Sequence, residues 1–189
     1  MGQCYGSQGG KFPLNDGSSP IKIIITGPSL AGKSYLMYSW VLGVKNIIAI
    51  KPTDLFNVEH VTSGTGKKFI VYDLSGAPNM RPRQRPFYEA TQGIVLVVNC
   101  ADKASIDEAK KDLDQLLGTV ELSGVPMLVA ANRVDSPDAV SCDDIKSKLD
   151  LESKLSSRKW KICNLTEGSQ EDVDDVLREL DMLVQHQKQ

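Results

Sequence analysis

Lys33 and Ser34 close the run Gly27-Pro28-Ser29-Leu30-Ala31-Gly32-Lys33-Ser34, which has the spacing G-x-x-x-x-G-K-[ST]. A loop of this kind aims several unpaired backbone N–H groups at one point, where the dipole of the following helix also favours an anion. Gly32 lets the backbone approach phosphate, Lys33 brings a point charge to the β and γ oxygens, and Ser34 offers its hydroxyl to Mg²⁺. Ordinary Gly/Ser turns also match so loose a pattern. Here the apolar run Ile21-Lys22-Ile23-Ile24-Ile25-Thr26 precedes it and a helical stretch starts at Tyr35, so the expected ligand is a nucleoside phosphate.

Asn132-Arg133-Val134-Asp135 closes a second apolar run, Val125 to Ala131. The Asp135 carboxylate can accept from both N–H groups on the Watson–Crick edge of guanine, whereas adenine would leave it unpaired. N-x-x-D alone is also a common strand-end turn. A third motif, Asp73-Leu74-Ser75-Gly76, ends the strand-like run Lys68 to Asp73. Asp73 can hold Mg²⁺ through water, and the Gly76 N–H can sense a γ-phosphate.

Three ligand loops at three strand ends require an alternating scaffold. The pattern predicts strands at 21–26, 57–63, 67–73, 94–100, 125–132 and 159–164, and helices at 34–43, near 87–91, and at 103–118, 142–148 and 170–186. The second and third strands form a hairpin turning at Ser63-Gly64-Thr65-Gly66. The rest alternates, which implies an α/β fold with a six-stranded, mostly parallel, doubly wound sheet and helices on both faces. Helix 103–118 puts Ile106, Ala109, Leu113, Leu116 and Leu117 on one stripe, and the last helix does so with Val173, Val176, Leu177, Leu180 and Leu183.

The ten residues Ala77 to Pro86 hold three prolines and three arginines, so no regular helix is expected there but an irregular, exposed loop. Its arginines can grip an acidic partner or an anionic head group, or simply face water.

With 189 residues, 41% of them hydrophobic, the chain can bury a core without disulfides or a structural metal. A net charge of −2 and the lack of aromatics interleaved with basic residues argue against a nucleic-acid partner. Cys4, Cys100, Cys142 and Cys163 form no C-x-x-C pair or metal-ligand spacing, which suits a reducing cytoplasm. No run approaches a membrane span, and no secretory apolar region is seen.

The three motifs in this order resemble the Ras-like small GTPases, which have a P-loop NTPase G domain, and more closely the ADP-ribosylation factor-like (Arf/Arl) branch. Pro52-Thr53, Phe56-Asn57-Val58-Glu59, Arg81-Pro82, Thr91-Gln92-Gly93 and Trp160 add to that resemblance, which covers roughly Ile21 to Val184. It implies that Thr53 completes the Mg²⁺ coordination, that Thr166-Glu167-Gly168 forms the last guanine-contacting loop, and that Phe56, Tyr72 and Phe87 are an aromatic triad meeting effectors. It further implies GTP and GDP as alternating ligands, effector proteins at the two switches, an exchange factor and an activating protein.

Three departures matter. Ser75-Gly76-Ala77 stands where Arf proteins carry Gly-Gly-Gln, so Ala77 replaces the water-orienting Gln and no catalytic residue is assigned. Asp54-Leu55 replaces Ile-Gly in the first switch, removing a position free to take positive φ. Arg133 replaces the usual Lys, and its guanidinium can still lie flat over a purine.

Residues 1–20 read as a flexible tether, rich in Gly and Ser, ahead of a GTPase domain over 21–187. Gly2 is a candidate N-myristoylation site, with Ser7 one place beyond the preferred Ser/Thr position, and Cys4 is a candidate for thioacylation. The expected function is that of a membrane-associated switch on a cytosolic face, recruiting effectors in the GTP state and hydrolysing GTP weakly. A nucleotide-locked adaptor with constitutive partner binding is the alternative. A small-molecule phosphotransferase is disfavoured because no lid-like basic insertion is visible.

Overall fold

The computed structural model describes residues 19–185. Six strands, β1 (Ile21–Thr26), β2 (Phe56–Thr62), β3 (Lys68–Leu74), β4 (Gly93–Asn99), β5 (Met127–Asn132) and β6 (Trp160–Leu165), form one sheet in the order β2-β3-β1-β4-β5-β6. Only the β2–β3 pair is antiparallel; the other four pairings are parallel. The helices are α1 (Lys33–Leu42), α2 (Lys103–Leu117), α3 (Cys142–Leu149), α4 (Leu151–Lys154) and α5 (Gln170–Gln185).

Alternation along the central strands sorts the core into two layers. Ile24, Ile94, Leu96, Val98, Met127 and Val129 face Ile106, Leu113 and Leu116 of α2 and Ile145 and Leu149 of α3. Their neighbours Ile23, Ile25, Val95, Val97 and Leu128 face Leu36 and Met37 of α1 and Val173, Val176 and Leu180 of α5. Every residue of β4 is buried, as a parallel strand covered on both faces must be. Helices therefore cover both faces, the arrangement expected from the sequence.

The differences are local. The helix expected near 87–91 is absent: a single 3₁₀ turn, Arg85–Phe87, takes its place, and Ala90 adopts a left-handed φ of 56° that no α-helix contains. The preceding Pro78–Arg83 also winds as a 3₁₀ helix with Pro82 inside. That loop is not uniformly exposed, because Gln84 is 6% exposed and Arg81 is drawn against α2. The four-residue α4 has no counterpart in the sequence expectation, and β5 starts two residues later than expected.

The β2–β3 hairpin is pinned to α5 by one carboxylate. Asp181, 2% exposed, accepts from Thr65 Oγ1 at 2.5 Å and pairs with Lys67 Nζ at 2.5 Å. Burial pushes the Asp181 carboxyl up, but hydrogen bonds from Lys67, Thr65, Ser63 and Gln185 outweigh it and bring it down to about 2, from 3.8. A folded value below the unfolded one means stability that is present above about pH 4 and lost as pH falls through 2. Asp181→Asn is therefore expected to cost about 1–2 kcal/mol at neutral pH and progressively less toward pH 3, read as urea midpoints across that range. A cost independent of pH would contradict the ion pair.

Candidate functional site

The phosphate-loop pattern lies between β1 and α1, at the C-terminal edge of the sheet, where open α/β sheets hold ligands. It borders a cleft of about 420 Å³ lined by Ser29, Leu30, Lys33 and Ser34, by Ile47 to Thr53, by Ser75 to Ala77, and by Glu167. Both expected switch segments thus meet the loop in one cavity.

Gly32 has φ 102°, and a Cβ there would overlap the Asn132 amide nitrogen. That amide donates to the Ala31 carbonyl at 2.8 Å, so the guanine motif at the end of β5 braces the phosphate loop from behind. Leu30 and Arg133 also adopt left-handed backbone, φ 61° each, a conformation that costs a branched or long residue energy and clusters at ligand loops. Lys33 is buried, its ammonium donating to the Pro28 carbonyl at 2.6 Å. Burial pulls its pKa down to about 8, only partly opposed by Asp73 and Asp112, so an anion bound in the cleft would restore full charge.

Three oxygens converge beside it. Ser34 Oγ lies 2.9 Å from Thr53 Oγ1, and both hydroxyls donate to Asp73 Oδ2, at 2.6 and 3.0 Å. Asp73 is fully buried, and its other oxygen, Oδ1, has no hydrogen-bond partner among the described residues. Two hydroxyls and an unsatisfied carboxylate oxygen form the hard, all-oxygen donor set that Mg²⁺ prefers, so these residues fit the ion the sequence suggested.

Asn57 was not among the site residues expected from sequence, yet its amide donates to Thr53 Oγ1 at 2.9 Å and to Asp73 Oδ2 at 3.0 Å. The signal was available, since counting back from the Ser63–Gly66 turn places Asn57 directly opposite Asp73.

Gly76 packs against the loop so closely that a Cβ would collide with the backbone of Pro28 and Ser29 and with Lys33 Nζ. Ala77 follows on the cleft wall, its N–H 3.5 Å from Ser75 Oγ. Arg133 reaches Glu167 at 3.1 Å, joining the guanine motif to the Thr166-Glu167-Gly168 loop, and the Gly168 N–H donates to the Tyr35 hydroxyl at 2.6 Å. Asp135 and Thr166 do not line the cleft. Asp135 is exposed and makes no hydrogen bond or ion pair among the described residues.

Phe56, Tyr72 and Phe87 form one cluster, with ring centroids 4.6 Å apart for Phe56–Phe87, 5.9 Å for Tyr72–Phe87 and 6.2 Å for Phe56–Tyr72. Phe56 is 39% exposed and follows exposed Leu55 in the chain. The second-switch arginines are less free than the sequence suggested. Arg81 is clamped by Asp112 at 2.5 Å and Glu108 at 2.6 Å, and Arg85, though exposed, pairs with Glu121 at 2.8 Å, while Arg83 is exposed and outside these ion pairs. Gly2 and Cys4 lie outside the described residues.

A profile of the ADP-ribosylation factor family matches residues 13–184. ADP-ribosylation factor J of Dictyostelium discoideum is 34% identical over 149 residues, 79% of this chain and 77% of that protein. Among solved structures, the Arl6 BBS3 small GTPase from Trypanosoma brucei, with bound nucleotide analogue GppNp, superposes with a TM-score of 0.77 over 88% of this chain and 98% of that one. At 22% identity it shares the fold.

Proposed function

The chain belongs to the ADP-ribosylation factor family, hence to the small GTP-binding switch proteins, and from that premise we propose that it works on a cytosolic membrane face, recruiting effectors in its GTP state and hydrolysing GTP slowly. The observation that carries this reading is the meeting of Thr53 and Gly76, one from each switch segment, at a single phosphate loop. Occupancy of that loop by a third phosphate is then felt by both segments at once.

In this reading the backbone N–H groups of Gly27 to Ser34 and the Lys33 ammonium hold the phosphates. Ser34 and Thr53 would supply hydroxyl oxygens to Mg²⁺ and Asp73 would hold its hydration shell, and the ion would supply neutralisation of phosphate charge. Gly76 offers its N–H to the γ-phosphate. Asn132 braces the loop, Asp135 reads guanine, and the Arg133 stem with Thr166 and Glu167 covers the base. Phe56, Tyr72 and Phe87 form the surface that partners read, since clustered aromatic rings are favoured anchors for a protein partner. An exchange factor and an activating protein are the partners such a cycle needs.

Attachment is assigned to residues 1–20, with the GTPase domain over 21–187. One myristoyl chain at Gly2 binds only marginally, with K of about 10⁴ M⁻¹, so durable attachment requires a second chain at Cys4. Protein made in eukaryotic cells is expected to float with liposomes when loaded with GTPγS. Gly2→Ala should abolish flotation, and Cys4→Ser should make it readily reversible. An intact mass showing an unmodified Gly2 would end the membrane part of the proposal.

A further inference from the structure

Ser75 is held from both sides. Its N–H donates to the Leu55 carbonyl of the first switch at 2.9 Å, and its carbonyl accepts from Gln84 Nε2 of the second at 2.8 Å. Gln84 is in turn oriented by Tyr88, 1% exposed, whose hydroxyl donates to Gln84 Oε1 at 3.0 Å. The amide cannot be turned round without loss, because a carbonyl only accepts and must face the Nε2 end.

The peptide joining Ser75 to Gly76 is trans, so its N–H points opposite to its carbonyl. With the carbonyl directed to Gln84, which does not line the cleft, the trans geometry turns the Gly76 N–H to the opposite side, and Gly76 borders the cleft together with Ser29 and Lys33. We propose that Gln84 is a positioning residue for the terminal phosphate: by holding the Ser75 carbonyl it keeps the Gly76 N–H aimed at a γ-phosphate and sets the preference for triphosphate over diphosphate. Gln84 itself never touches nucleotide. The proposal rests on the guanine-nucleotide reading above and adds to it the residue that fixes the sensing peptide.

The same geometry explains why this glutamine does not replace the one missing at position 77. Both ends of its amide are engaged on the far side of the Ser75–Gly76 peptide, and no other glutamine lies between Ala77 and Pro86.

Gln84→Met keeps length and apolar volume but removes the donor, freeing the peptide to turn its N–H away from the cleft. Competition titrations of GTPγS and GDP on the full chain are expected to show the GTPγS-to-GDP affinity ratio falling about tenfold, with GDP affinity within about twofold of wild type. Tyr88→Phe, which leaves the donor but frees the amide to turn, should lower the ratio by about threefold. In both variants the Gly76 amide resonance should lose part of its GTPγS-dependent shift. Equal losses for the two nucleotides, or an unchanged ratio, would overturn the proposal and reduce Gln84 to a core residue. Wild-type protein that binds neither nucleotide would instead overturn the reading on which the proposal rests.

Discussion

Asp135→Asn is expected to weaken GTP binding by about 3 kcal/mol, on the order of a hundredfold, and to make the protein prefer xanthine nucleotides. Asp135 stands exposed just past the end of β5, on a turn fixed by Asn132 Oδ1 accepting from the Arg133 N–H at 2.9 Å and by the Arg133 N–H reaching the Leu165 carbonyl, also at 2.9 Å. Among the described residues its carboxylate has no hydrogen-bond or ion-pair partner, which leaves both oxygens to accept from the two N–H groups on the guanine edge. An asparagine offers one acceptor and one donor. It can still take the ring N–H but faces the exocyclic amino group with a donor of its own, whereas xanthine puts a carbonyl there. Titrations with labelled GTP, XTP and ATP check this, and equal binding of GTP and ATP by the unmodified protein would contradict the assignment of Asp135.

The second large effect is expected in catalysis. Ras-type sites turn over at about 3–5 × 10⁻⁴ s⁻¹ without help, and that rate depends on a glutamine that orients the attacking water. Ala77 presents a methyl group at this position, and Pro78 after it starts a 3₁₀ turn that leads the chain away. Gln84, the glutamine nearest in sequence, is buried with both ends of its amide engaged. Intrinsic hydrolysis is therefore expected at least tenfold below the Ras-type rate, since the Ala77 methyl has no hydrogen-bonding group for that role. Ala77→Gln should recover part of it, to the extent that the turn after Ala77 lets the new side chain reach the γ-phosphate.

The parts of this account legible in the sequence are those in which a residue acts through its own chain neighbourhood. Gly32, Lys33 and Ser34 follow one another at a strand–helix junction, and the fully buried β4 and the stripes of α2 and α5 are written as apolar runs and helical periods. What the sequence concealed depends on contacts between distant segments. Arg81 reads as a loop cation until α2 brings Glu108 and Asp112 beside it, and Gln84 reads as polar surface until the fold supplies Ser75 and Tyr88 as partners. Asp181 lies on the stripe-and-charge pattern of an ordinary surface helix, yet the hairpin tip buries it.

The helix expected near 87–91 fails for a local reason. Pro82 keeps the stretch before it in short 3₁₀ turns, and three residues past the last of them, Arg85–Phe87, Ala90 takes a left-handed φ of 56° that no α-helix contains. Asn57 is a middle case. It belongs to the motif Phe56-Asn57-Val58-Glu59, and only the hairpin register reveals that it shares Asp73 with the hydroxyls of Ser34 and Thr53.

The central claim is that both switches read a third phosphate at this loop and that the protein holds the resulting state because it cleaves that phosphate slowly. Single-turnover cleavage of preloaded GTP, followed without any activating protein, tests it most directly. A wild-type rate at least tenfold below about 3 × 10⁻⁴ s⁻¹ is expected, with Ala77→Gln faster than wild type. A wild-type rate at or above that Ras-type value would contradict it, showing that some other group orients the water at this site.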